Sequence, residues 1–125
     1  MTKSISDHKF TISLIEEGYY ELWIKDNVEI FIEDMERIKD AQKQLCGNRI
    51  PVLISGGKYS TTNVDVMKFL AKNENMPYSK VSAYITSSIS QKLLGNFYMK
   101  MNKPERPTRF FSNKQDAIDW LKQYL

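Results

Sequence analysis

Phe10, Ile12 and Leu14 alternate with Thr11 and Ser13, and Tyr20, Leu22 and Ile24 alternate with Glu21, Trp23 and Lys25. A period of two sends successive side chains to opposite faces, so each segment predicts a half-buried β-strand. Glu16, Glu17 and Gly18 separate them, and Gly18 suits a positive φ, which predicts an antiparallel hairpin. From Phe31 the period lengthens. Phe31, Met35, Ile38, Ala41 and Leu45 share one helical face, with Glu33, Asp34, Glu36, Lys39, Asp40 and Lys43 elsewhere. Acidic residues crowd the first turns and Gly47 follows the end, as the helix dipole and a left-handed cap favour. The pairs Glu33 with Asp34 and Glu36 with Asp40 therefore read as dipole compensation on a solvated face rather than as catalytic carboxylates.

Pro51, Val52, Leu53 and Ile54 form a nearly continuous apolar run, the pattern of a strand covered on both faces, and Gly56 and Gly57 break it. A second helix is expected from Asn63, capped by Thr62 with Asp65 at its third position, carrying Val66, Met67 and Leu70 and ended by Asn73, Asn75 and Pro77. Val81, Ala83 and Ile85 alternate with Ser82, Tyr84 and Thr86 as another strand. The next helix has the stripe Ile89, Leu93, Leu94, Phe97, Tyr98 and Met101, and Pro104 to Pro107 stops it. Thr108 to Phe111 is a short strand. Ser112 with Gln115 predicts a capping box for a last helix carrying Ala117, Ile118, Leu121 and Leu125.

The order ββαβαβαβα predicts an α/β fold: a mostly parallel sheet with an antiparallel N-terminal hairpin and helices packed on it. Ile54, Ala83, Phe97 and Leu121 are expected in one shared core, so that Phe97→Ala would cost about 3 to 5 kcal/mol. Tyr98 and Met99 are expected to stay partly exposed, because the apolar arc of their helix is wider than one sheet face needs. A homodimer contact or a ligand pocket would use the surplus.

At 125 residues the chain suits one domain, spanning 1–125, and 42% hydrophobic with 26% charged residues places it among folded rather than disordered sequences. A formal charge of +3, with both signs interspersed, does not mark a specific nucleic-acid binder. Cys46 is the single cysteine, which excludes an internal disulfide and a Cys-rich metal framework. No apolar run approaches the roughly 20 residues of a membrane span, and Met1 to Lys9 is polar, unlike a signal peptide. A cytoplasmic protein is the expectation.

Catalytic chemistry is sparse. His8 is the only histidine and has no neighbouring nucleophile or ligand set, and Cys46 at a helix end reads as a small buried hydrophobe. Neither an enzyme, a metal site nor a cofactor is expected. The best candidate site is the loop Gly56, Gly57, Lys58, Tyr59, Ser60, Thr61, Thr62, which follows a buried strand and precedes a helix, where backbone donors and a positive dipole end could receive an anion. It is not a P-loop, and its bland reading is a tight turn with a hydroxyl cap. The stretch Lys92, Lys100, Lys103, Arg106 and Arg109 interleaves with Phe97, Tyr98, Met99, Phe110 and Phe111. That mixture suits a membrane surface, a lipid headgroup or single-stranded nucleic acid, although aromatics at helical spacing are more often core.

The last third carries Val81 to Thr86, a helix containing Leu94, Gly95, Asn96 and Phe97, then Asn102, Lys103, Pro104, Pro107, Thr108, Arg109, Phe110 and Phe111, and finally Ala117, Trp120 and Leu121. With the order of elements, this resembles the STAS domain, and within it the SpoIIAA-like group described together with Sec14-type lipid-binding folds. The resemblance implies a non-catalytic regulatory or binding module, acting on a protein partner or a small ligand through Gly56, Gly57, Lys58, Ser60, Thr61 and Thr62 and the helix from Ser88 to Met101. In antagonist-type members a phosphorylatable serine stands at that loop in an Asp-Ser-Ser/Thr-Gly-like turn. Here Ser60, Thr61 and Thr62 keep the place and the hydroxyl without the aspartate and glycine. The alternative is a carrier or sensor of a lipid or other apolar ligand, held beneath Leu94, Phe97, Tyr98 and Met101.

Overall fold

The structure is a computed structural model that describes residues 3–125. It begins with a three-stranded antiparallel meander: β1 (Lys3–Ser6), β2 (Phe10–Ile15) and β3 (Tyr19–Ile24). Gly18 turns β2 into β3 at a φ of +106°, a conformation open to glycine at little cost. β1 stands in front of the expected hairpin as an edge strand. Its Ser4 and Ser6 hydroxyls meet those of Ser13 and Thr11 at 2.7 Å, so a polar ladder rather than an apolar pattern supports it.

The chain continues through β4 (Glu29–Ile30), α1 (Ile32–Leu45), β5 (Ile50–Gly56), β6 (Thr61–Thr62), α2 (Val64–Leu70), a 3₁₀ turn (Asn73–Asn75), β7 (Ser79–Ile85) and α3 (Ile89–Asn102). It ends with β8 (Thr108–Phe111), α4 (Lys114–Leu121) and a 3₁₀ turn (Lys122–Tyr124). The main sheet has the order β1-β2-β3-β5-β7-β8, parallel from β3 onward, and β4 pairs with β6 in a separate two-stranded ribbon. Right-handed crossovers that step in one direction leave their helices on one face. Accordingly α1, α2 and α3 share a face, and α4, which follows the last strand, folds back over the other against β7 and β5.

The two faces have separate cores. Phe10, Ile12, Tyr20, Leu22, Val52 and the partly buried Ile54 meet Met35, Ile38 and Leu45 of α1, whereas Leu53 and Ala83 meet Ala117 and Leu121 of α4. Alternation along β5 sends Leu53 and Ile54 to opposite sides, so the shared core expected for Ile54, Ala83 and Leu121 is corrected to two. Phe97 belongs to neither: it is 43% exposed, while its neighbour Tyr98, expected to be partly exposed, is 4% exposed. One residue is a turn of about 100° round a helix. Leu94 and Tyr98 face the sheet, which leaves Ile89, Leu93, Phe97 and Met101 in solvent.

Two caps differ from expectation by one residue. Asn63, not Thr62, caps α2 by accepting the Val66 N–H at 3.0 Å, because Thr62 is held in β6. Asn113, not Ser112, caps α4 by accepting the Asp116 N–H at 2.9 Å. Asp34 is also not on a solvated face. Fully buried, it accepts the Phe31 N–H and pairs with Lys9 at 2.7 Å and Arg37 at 2.8 Å, tying the start of α1 to the turn that leads into β2.

Candidate functional site

The face under α1, α2 and α3 is not closed. A cavity of about 180 Å³ lies between it and the helices, walled by Leu22 and Ile24 of β3, Val52 and Ile54 of β5, Ile38 of α1, Val66 and Met67 of α2, and Leu94 of α3. Close-packed interiors leave few voids larger than a water. Gly95 sets the height of the roof. A Cβ there would stand 2.6 Å from the Phe110 ring, so only glycine lets α3 lie this close to β8.

The mouth lies at the carboxyl ends of β5 and β7, where open α/β sheets take their ligands. Ser60, Thr61, Gln91 and Leu94 line both the cavity and a surface cleft that continues over Lys58, Tyr59, Ser87, Ser88 and Ser90. Gln91 fastens one side of it: the side chain donates to the Gly57 carbonyl at 3.3 Å and accepts the Ser87 N–H at 2.9 Å. A Cβ on Gly56 would fall 2.5 Å from Ser60 Oγ, so a larger residue there would turn the Ser60 hydroxyl away from its present position.

The loop from Gly56 to Thr62 does not present the open row of donors its position suggested. Gly57 N–H donates to the Ile24 carbonyl, Lys58 N–H to Asp26 Oδ1, Ser60 N–H to the Gly57 carbonyl and Thr61 N–H to the Val28 carbonyl. The hydroxyls of Ser60 and Thr62 donate to the carbonyls of Gly57 and Ile30 at 2.7 and 3.1 Å, and of the three candidate hydroxyl residues Thr61 alone is exposed. Tyr59 projects into solvent at 76% exposure with a φ of +61°.

Tyr98 is the one member of the expected set Phe97, Tyr98 and Met101 that lines the cavity, with Phe97 and Met101 on the outer side of α3. Its ring meets Tyr84 edge-on at 6.4 Å, and Tyr84 stacks on Phe110 at 4.7 Å. Burial pushes the Tyr84 phenol up to about 12, the positive charge of Arg106 partly opposing it. The Tyr98 phenol is pushed up more strongly, first by burial and then by Tyr84, again opposed by Arg106. Both stay protonated and able to donate at neutral pH.

Arg106, grouped from sequence with surface basic residues, is 3% exposed. Its Nε donates to Ser82 Oγ and its Nη1 to Asn73 Oδ1, both at 3.2 Å, and Nη2 reaches the Leu70 carbonyl. Gln42, at the far end, is fully buried, donates to Ser79 Oγ at 3.2 Å and leaves its Oε1 without a partner. Sequence reasoning missed Ser82, Tyr84 and Arg106 as a group. The available signal was the polar phase of β7: in a parallel strand between two others both faces are covered, so Ser82, Tyr84 and Thr86 had to lie inside. His8 is exposed, and among the described residues no cluster of His, Cys, Asp or Glu could hold a metal. Cys46 is half-buried beside the Tyr20 hydroxyl at 3.1 Å.

The architecture is that of a SpoIIAA-like α/β domain. It is similar in structure to an uncharacterized protein of the DUF3478 family with a SpoIIAA-like fold from Shewanella loihica PV-4, with a TM-score of 0.55 at 18% identity, over 97% of this chain and 92% of that one. The chain belongs to the DUF7793 family, a domain of unknown function whose model matches residues 14–125. No curated protein matches it. No helix among the described residues is long and apolar enough to cross a membrane.

Proposed function

We propose that this domain is a non-catalytic binding module for a small apolar molecule, held between the sheet and α1, α2 and α3 and admitted beside the Gly56 to Thr62 loop. The cavity carries this reading. Its walls are almost wholly apolar side chains around about 180 Å³ of space that opens at the carboxyl ends of β5 and β7. A small apolar ligand there would take that surface out of water, at about 25 cal/mol per Å².

Titration with toluene and with indole, followed by amide chemical shifts, tests the reading. Shifts should concentrate at Ile54, Val66, Leu94 and Tyr98, and Ile54→Phe, which fills the space, should abolish them while the protein stays folded. No shifts at millimolar probe, or shifts only on the outer surface, would sink the proposal.

A second reading rests on the exposed row Ile89, Leu93, Phe97 and Met101, spaced by four residues along α3. That row suits a regulatory protein partner or a second copy of the chain, and Thr61 is the hydroxyl a kinase could reach. Sedimentation of the wild type and of Leu93→Ser with Phe97→Ser separates self-association from a monomer.

A further inference from the structure

Arg106 is a buried cation whose hydrogen bonds all go to neutral groups: the Ser82 hydroxyl, the Asn73 side-chain carbonyl and the Leu70 backbone carbonyl. Among the described residues no carboxylate forms an ion pair with it; the adjacent Glu105 instead accepts the Asn73 N–H at 2.8 Å. Buried arginines are seldom left without a negative partner. The Leu70 carbonyl, at the end of the short α2, offers a fraction of a charge.

One hydroxyl, that of Ser82, stands between this cation and the cavity. Ser82 Oγ accepts from Arg106, so its own proton is free, and Ser82 lines the cavity on the same face of β7 as Tyr84. Tyr84 of β7 and Tyr98 of α3 both line the cavity with their rings 6.4 Å apart, and neither phenol has a hydrogen-bond partner among the described residues. Neither phenol oxygen is sealed away, so each can donate to a group that enters the cavity. Unpartnered donors before an unmatched cation form a site complementary to an anion.

Resting on the cavity reading, we propose that the ligand is a small monocarboxylate whose apolar body fills the cavity and whose carboxylate accepts hydrogen bonds from Ser82, Tyr84 and Tyr98 in front of Arg106. One guanidinium matches one negative charge, whereas a phosphate monoester would bring close to two into an apolar chamber. The volume sets the size of the body: a cavity of about 150 Å³ holds benzene, so one ring or an acyl chain of similar volume fits here.

The test compares phenylacetate with its neutral counterpart 2-phenylethanol by calorimetric titration at pH 7. Phenylacetate should bind about tenfold or more tightly. Tyr98→Phe, which keeps the ring, should bring the two affinities together by weakening phenylacetate and sparing 2-phenylethanol. Tyr84→Phe, still able to stack on Phe110, should do the same and decides the matter if Tyr98→Phe loses both ligands. Equal binding of the two compounds to wild type, or a preference that survives both substitutions, overturns the carboxylate assignment and leaves the apolar cavity standing. Binding of neither overturns the cavity reading itself.

Discussion

Asp34 shows how much a single residue can carry when its charge is buried and matched. Burial pushes its carboxyl up, but the hydrogen bonds from Lys9, the Phe31 N–H and Arg37 together outweigh that and hold it below the ordinary carboxylate value. A carboxyl depressed in the folded state contributes stability above its unfolded pKa of about 3.9 and loses it as pH falls through the folded value. Asp34→Asn should therefore lower stability at pH 7 by about 2 kcal/mol, and the gap from wild type should close as pH is taken from about 5 to 2. Denaturant unfolding across that range is the measurement, and a constant gap would mean the carboxylate's charge is not what matters. Phe97 makes the opposite case. Half in solvent and outside both cores, it should cost under about 1 kcal/mol on truncation, whereas Leu121→Ala, fully buried against Leu53 and Ala83, should cost about 2 to 5 kcal/mol. A large loss at Phe97 would place α3 differently on the sheet.

At the scale of elements, α3 is decided by a glycine rather than by its apolar stripe. Gly95→Ala gains helix propensity worth about 1 kcal/mol, yet its Cβ would collide with Phe110. The variant should be destabilised in spite of the propensity, and Phe110→Leu in the same chain should recover part of the loss. Additive effects of the two changes in a double-mutant cycle would deny the contact. The sequence showed which segments alternate and which repeat at helical spacing, so the strands β2, β3, β5, β7 and β8 and all four helices were legible, as was the parallel order that places the mouth at Gly56. The inward side of α3 was not. Ile89, Leu93, Leu94, Phe97, Tyr98 and Met101 cover too wide an arc for periodicity to choose between 93/97 and 94/98, and the choice is made by where Gly95 permits approach. β1 was hidden for a different reason: Lys-Ser-Ile-Ser offers a single apolar residue and is held by hydroxyl pairs and the ladder. Arg106 read as one more surface cation because nothing local marks a guanidinium that turns inward under the end of α2.

Across the whole molecule, firmness should be uneven in a way that follows the cavity. α1 buries six of its residues, from Asp34 to Leu45, and sits over the β2 and β3 strands with Asp34 pinned to Lys9. α2 buries Val66 and Met67, and α3 buries Gly95 and Tyr98; the two helices roof the side of the sheet where the space is left. Local opening is cheapest where few apolar contacts must be broken. In hydrogen exchange, amides of 64–70 and 89–102 should therefore exchange faster than those of 50–56 and 79–85, with 32–45 close to the slow class. A ligand in the cavity joins the roof to the sheet, so at 100 times its dissociation constant it should add about 2.7 kcal/mol to the folded state, and the slowing should be largest in the two roof helices. Exchange as slow in α2 and α3 as in β5 and β7 without ligand would show that the roof is already firm, and that entry to the cavity requires a different door.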